Sequence, residues 1–208
     1  MRHITGALLA LAAAAFLVIA PARAVELTPM VGYQWGGTLQ YPNGDVHINA
    51  AMSYGGAIGA TVEPGTFVEV GYMYQGSKLI GRPRTGPDIT FLDLGTHYLQ
   101  LSGIRYLRES RATPYIIGGL GMTVFDPHSS QYGDFDSQTM FSMSLGGGLH
   151  VDMGPRAALR LQSRLLIPIN FASGGLYFGT GGGGVSVSGG TALPQGDATL
   201  GLALKMGQ

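Results

Sequence analysis

From Thr139 to Gly154 the chain reads TMFSMSLGGGLHVDMG, and apolar and small polar residues alternate through nearly all of it. Phe141, Met143, Leu145, Leu149, Val151 and Met153 fall on one face, with Ser142, Ser144, Gly146, Gly148, His150 and Asp152 on the other. A period of two sends successive side chains to opposite faces of a β-strand. On a soluble protein the water-facing side would carry Lys, Glu and Thr. Ser and Gly are too small to form a solvated coat, so this face needs another environment.

The same alternation recurs along the chain. Val31–Tyr41 and Val46–Val62 carry it, as do the segments around Val68–Gln75, Tyr115–Val124, Leu159–Ile167 and Thr199–Met206. His97–Arg108 is strand-like with mixed faces: Leu99 and Leu101 share one with Arg105, and Tyr98, Ile104 and Tyr106 share the other with Gln100 and Ser102. With Thr139–Gly154 this predicts eight strands. No segment beyond residue 24 sustains a helical period with caps. Short connections, VEPGT at 62–66, RESRA at 108–112 and DMGPR at 152–156, carry turn residues or charges. Longer links are expected at 76–95, 126–138 and 172–196, and the Asn-Gly pair in YPNGD, Tyr41–Asp45, marks a tight hairpin. An even strand number, with short turns at one end and long loops at the other, is the pattern of a membrane barrel. Pro168 is the awkward residue. It cannot donate to a ladder, so it belongs either at a bulge or above the rim.

Composition decides which face points out. Charged residues are 12% of the chain, where the surface of a soluble barrel is about 25–35% charged. Glycine is 35 of 208 residues. Small residues suit the interior of an eight-stranded barrel, which is just wide enough for side chains to fill. The apolar face then meets lipid. The inward charges Glu69, Asp152, Arg160, Arg164 and Lys205, with His150 and His47, are of both signs. They are expected to pair, because a lone buried charge costs several kcal/mol. One acid with two bases places Glu69 against Arg160 or Arg164, and Glu69, His150, Asp152, Arg160 and Arg164 form the expected lumen network. Tyr41, Tyr72, Tyr74, Phe125, Phe141 and Phe171 fall near the long-loop ends and are expected to form an interfacial aromatic girdle.

Residues 1–24, MRHITGALLALAAAAFLVIAPARA, read as an export signal: Arg2, an apolar run from Ile4 to Ile19, then Ala22-Arg23-Ala24 as a small-x-small cleavage site. The domain organisation is therefore a signal peptide over 1–24 and a barrel over 25–208. Losing Arg2 and Arg23 takes the 12 Lys+Arg to 10 against 12 Asp+Glu, a net charge of −2. That balance argues against a nucleic-acid partner. With no cysteine, thiolate metal sites, disulfides and a Cys nucleophile are excluded.

GIRY, Gly103–Tyr106, followed by TPYIIGGLG, Thr113–Gly121, resembles a hairpin of the OmpA-like and opacity-type outer-membrane β-barrel domain family. The resemblance implies an eight-stranded antiparallel up-and-down transmembrane barrel in the cell outer membrane, inserted by the barrel assembly machinery. Two features depart from the family. No peptidoglycan-binding domain is expected after the barrel, and the sequence closes LALKMGQ rather than on an aromatic residue.

The loops carry weaker signals. Lys78, Arg82 and Arg84 form a basic cluster suited to the phosphates of lipopolysaccharide. His128 and Ser130, with Asp126, resemble the His-x-Ser pair of outer-membrane lipid A deacylases, but a loop is a poor scaffold for that geometry. Asp126, His128, Asp134 and Asp136 match no calcium-loop spacing. Gly179–Gly190 lacks the Lys of a phosphate loop. The expected function is structural or surface-interacting, as a monomer without cofactor or metal. A narrow channel for small or hydrophobic solutes is the first alternative, and a lipid A-modifying enzyme the second.

Overall fold

The computed structural model describes residues 25–35, 38–41, 44–83, 89–108, 110–129, 133–134, 137–169 and 194–206. These residues contain no helix. The strands are β1 (Val25–Trp35), β2 (Thr38–Tyr41), β3 (Gly44–Ile48), β4 (Ala51–Glu63), β5 (Thr66–Pro83), β6 (Ile89–Tyr106), β7 (Ala112–Ser129), β8 (Gly133–Asp134), β9 (Gln138–Asp152), β10 (Ala157–Ile169) and β11 (Gln195–Met206). Eight of them close a barrel in the order β1-β4-β5-β6-β7-β9-β10-β11, and β11 pairs back onto β1. Every neighbouring pair is antiparallel. Closure leaves the eight-stranded wall without an edge, which is the condition for a β-structure to cross lipid.

The remaining strands rise above the wall. β2 and β3 form a hairpin, with Tyr41 opposite Gly44, that continues along the top of β5. β8 adds to the top of β7. Two of the links expected from sequence are therefore largely strand. β5 runs to Pro83 and β6 starts at Ile89, and β7 continues to Ser129. The Gly and Pro residues of 76–88 look like loop residues, yet an antiparallel ladder persists above the rim because each strand still has a partner. The first strand likewise begins at Val25 rather than Val31.

Two of the strand prolines, Pro29 and Pro168, fall where a ladder breaks. Pro29 lies in a gap of the β1–β11 pairing, between Leu27↔Leu204 and Met30↔Gly201. Pro168 pairs with Ser142 of β9, but the β10–β11 pairing has already ended at Leu166↔Gln195. It sits above that seam rather than at a bulge. At the opposite end, the β4–β5 turn places Pro64 before Gly65, whose φ of 73° belongs to a glycine position of a tight turn.

Burial is inverted relative to a soluble fold. Leu145 is 67% exposed, Met52 64% and Tyr54 60%, whereas Arg160 and Glu69 are each 2% exposed. The mixed strand resolves in the same sense: Tyr98, Gln100, Ser102 and Ile104 are buried, while Leu101 and Arg105 face out.

Candidate functional site

Alternation on eight strands aims half of the side chains at one axis, so the lumen is the place where distant segments meet. At the short-turn end Lys205 Nζ donates to Asp152 Oδ1 at 2.5 Å, and His150 Nε2 lies 3.7 Å from the same oxygen. The Tyr106 ring meets the His150 ring edge-on at 5.6 Å. Glu26 is buried beside them. It accepts a hydrogen bond from Thr28 Oγ1 at 3.2 Å and forms no ion pair among the described residues.

Deeper in, Arg160 spans the lumen. Its two terminal nitrogens both donate to Glu69, Nη2 reaching Oε1 at 2.9 Å. Nη2 also donates to Gln162 Oε1 at 2.7 Å, and Nε to the Tyr115 hydroxyl at 3.1 Å. The guanidinium carbon lies 5.4 Å from the Tyr115 ring centre. This is a fork-to-carboxylate pair with its spare donors occupied, the condition under which a buried charge is tolerable. Arg164 takes a different partner: Nη2 donates to Asp197 Oδ2 at 2.7 Å, and its backbone N–H to Asp197 Oδ1 at 3.0 Å.

The lumen is less polar than its Ser and Gly residues suggest. Phe67, Ile104, Tyr115 and Ile117 form one buried cluster, and Met30, Ala57, Met73, Tyr98 and Leu166 another. Glycines make room for the large residues. A Cβ on Gly59 would stand 2.5 Å from Phe67 Cε1, and one on Gly148 would overlap the Tyr115 ring and the Leu161 carbonyl. Each small residue thus makes room for a large one on the neighbouring strand. Towards the long-loop end Gln34 Nε2 donates to Gln195 Oε1 at 3.0 Å, the Tyr98 hydroxyl donates to the same oxygen, and Gln75 Nε2 donates to the Gln34 carbonyl at 3.0 Å.

Several members of this network escape sequence reading. Asp197 borders the stretch expected to be a loop, although it shares a face with Thr199 and Gly201. Glu26 precedes the alternation that Pro29 interrupts. Tyr98 lies on the strand whose faces are mixed.

On the outer face, Tyr72 is 39% exposed, and Tyr74 packs between Tyr54 at 5.3 Å and His97 at 4.9 Å. Tyr33, Trp35 and Tyr54 are also exposed near the long-loop end. Phe141 shares the outward face of Met143 and Leu145. Phe125 does not belong to the girdle: it is 8% exposed and shares the inner face of Tyr115, Ile117 and Thr123, because β7 turns its odd positions inward. Tyr41 lies on β2 above the wall. Phe171, Arg84, Ser130 and Asp136 lie outside the described residues, as does Gly179–Gly190. Lys78 is exposed opposite Asp93, and Arg82 pairs in register with Asp45 on β3, the strand that also carries His47. Asp126 and His128 are on the upper part of β7, and His128 is in register with Asp134 of β8.

Solved structures with this architecture are similar in fold. OprG from Pseudomonas aeruginosa superposes with a TM-score of 0.64 at 12% identity, covering 90% of this chain and 97% of that one. Neisserial surface protein A gives 0.60 at 13% identity, over 89% of this chain and 98% of that one. The N-terminal β-barrel domain of Pseudomonas aeruginosa OprF gives 0.53 at 14%, over 89% and 98%. No curated protein matches the chain. Residues 8–188, most of the chain, match the family described as Outer membrane protein beta-barrel domain. With its closed wall, lipid-facing apolar belt and filled lumen, this chain belongs to that family of outer-membrane β-barrels.

Proposed function

We propose that the chain is a sealed outer-membrane barrel whose role is structural or interactive: it contributes to envelope integrity and makes contacts through its outer face and long loops. The observation that carries this reading is the close packing of the lumen. Gln75, Thr96, Thr123, Ser142, Ala158 and Ala203 point inward from six strands, and each is 0% exposed. An open pore would leave its lining side chains accessible. Export on the 1–24 leader, insertion by the barrel assembly machinery, a monomeric state and lipopolysaccharide as neighbour complete the reading. The leader's basic start and its small-x-small end support the first of these.

The rival from another class is a channel for small solutes. Purified protein in planar bilayers should give no ion-conducting steps. Steady unitary conductance from the folded, heat-shiftable species would overturn the sealed-barrel reading. An enzymatic role would need Ser130 to act as a nucleophile beside His128. Loss of lipid A acyl chains on overexpression, abolished by Ser130→Ala, would replace the structural reading.

A further inference from the structure

A cleft of about 480 Å³ opens on the outer face near the long-loop rim, bounded by Tyr74, Gly76, Lys78, Asp93, Gly95 and His97. Its residues come from facing positions of β5 and β6: Tyr74↔His97, Gly76↔Gly95 and Lys78↔Asp93. All of these point away from the lumen, because the alternate positions Gln75, Ser77, Leu94 and Thr96 are the buried ones.

Two breaks in the ladder open it. β5 pairs with β4 up to Ser53↔Gln75 and with β3 from Ile48↔Leu79, so residues 49–52 stand opposite 76–78 with one residue to spare. On its other side, β5 slips register against β6 between Leu79 and Ile80. Bulges of this kind re-aim side chains and recur beside functional sites. The glycine pair then leaves the floor bare, and Tyr74 fills one end. A Cβ on Gly76 would stand 3.4 Å from the Tyr74 hydroxyl, and one on Gly95 3.6 Å from it. The Tyr72 hydroxyl and His97 Nδ1 share a hydrogen bond of 2.9 Å, which fixes the imidazole against Tyr74.

The geometry points to a saccharide headgroup of a membrane lipid as the occupant. An outward-facing cleft at the end of the apolar wall meets the headgroup layer of the bilayer. Its chemistry is that of a sugar site: an aromatic ring for the C–H face, with the Asp93 carboxylate to accept from hydroxyls and the Lys78 ammonium to donate. Lys78 and Asp93 are exposed, stand opposite one another, and make no ion pair among the described residues, so both remain available to a ligand. The Asp93 carboxylate opposite Lys78 offsets the ammonium, which disfavours a bare phosphate as the principal ligand. This inference rests on the outer-membrane placement of the barrel and not on its sealed lumen, so conductance and lipid retention fail independently.

The test is native mass spectrometry of the full chain released from phosphatidylcholine nanodiscs. One set is doped with uncharged digalactosyldiacylglycerol and another with phosphatidic acid. The wild type should retain the sugar lipid above its bulk share. Tyr74→Ala, Asp93→Asn and the cleft-filling Gly95→Ala should each lower that enrichment about fivefold, the factor expected for one aromatic or charge-assisted contact. Leu161→Ala, on the outer face of β10 across the barrel, should leave it unchanged. Gly95→Ala meets only ordinary contacts, and Asp93→Asn is at the surface, so both should keep the heat-shifted gel mobility of the folded barrel. Enrichment that is equal in all variants would overturn the site. So would preference for phosphatidic acid lost only in Lys78→Ala, or equally tight binding of free lactose.

Discussion

Replacing Glu69 and Arg160 singly and together tests the lumen network at its centre. Arg160 is 2% exposed and gives its donors to Glu69, Gln162 and Tyr115. Glu69→Gln leaves a guanidinium in the bore without a counter-charge. Arg160→Met leaves a carboxylate in the same state. Breaking a buried pair from one side costs about 3–5 kcal/mol, whereas exchanging both partners for neutral groups of similar volume is close to neutral. Each single variant should therefore lose about 3–5 kcal/mol, the double variant less than either single, and the coupling energy should exceed about 2 kcal/mol. The assay is urea unfolding of the barrel in phospholipid vesicles. It can be followed by unboiled gel mobility and by the fluorescence of the chain's single tryptophan, Trp35, which is 44% exposed on the outer face. Additive single effects, with coupling below about 0.5 kcal/mol, would refute the claim that the two side chains act as a buried pair.

Glu26 should behave in the opposite sense. It is buried and makes no ion pair among the described residues, so Glu26→Gln should raise stability by about 1 kcal/mol in the same urea titration, and a loss would show that its charge is compensated. Gly148→Ala drives a methyl into the Tyr115 ring and should lower stability by roughly 1–3 kcal/mol, whereas Gly103→Ala, which has nothing within 4 Å, should be silent. Equal effects at the two glycines would mean that the bore is not packed as described.

Much of the wall can be read from the sequence because a barrel repeats one simple rule. Ser142 and Ser144 point in while Met143 and Leu145 point out, and nothing beyond local alternation is needed to see it. The rule fails where backbone chemistry interrupts it. Pro29 hides the first turns of β1, and the glycines of 76–81 disguise strand as loop. Phe125 shows a different failure. Its nearness to a strand end suggested the girdle, but its parity with Thr123 places it inside, and parity is the stronger physical constraint.

Partner choice in the lumen lies beyond any local pattern. Glu69 and Arg160 are 91 residues apart in sequence, and they meet because of the stagger that accumulates around a closed sheet. Alternation specifies direction but not height, and height decides whether Arg160 or Arg164 reaches the carboxylate. Asp197 makes the point from the other side. It stands beside Arg164 in the β10–β11 register and so occupies the guanidinium that would otherwise be free to compete for Glu69. The glycines follow the same logic. Gly148 is small because Tyr115, on the adjacent strand β7, leans over it, and Gly59 because Phe67 does. A face made of almost nothing is therefore the imprint of large side chains from neighbouring staves. Its emptiness in sequence and its fullness in the folded lumen are one fact, which is why a barrel poor in charge and rich in glycine can still have a packed bore.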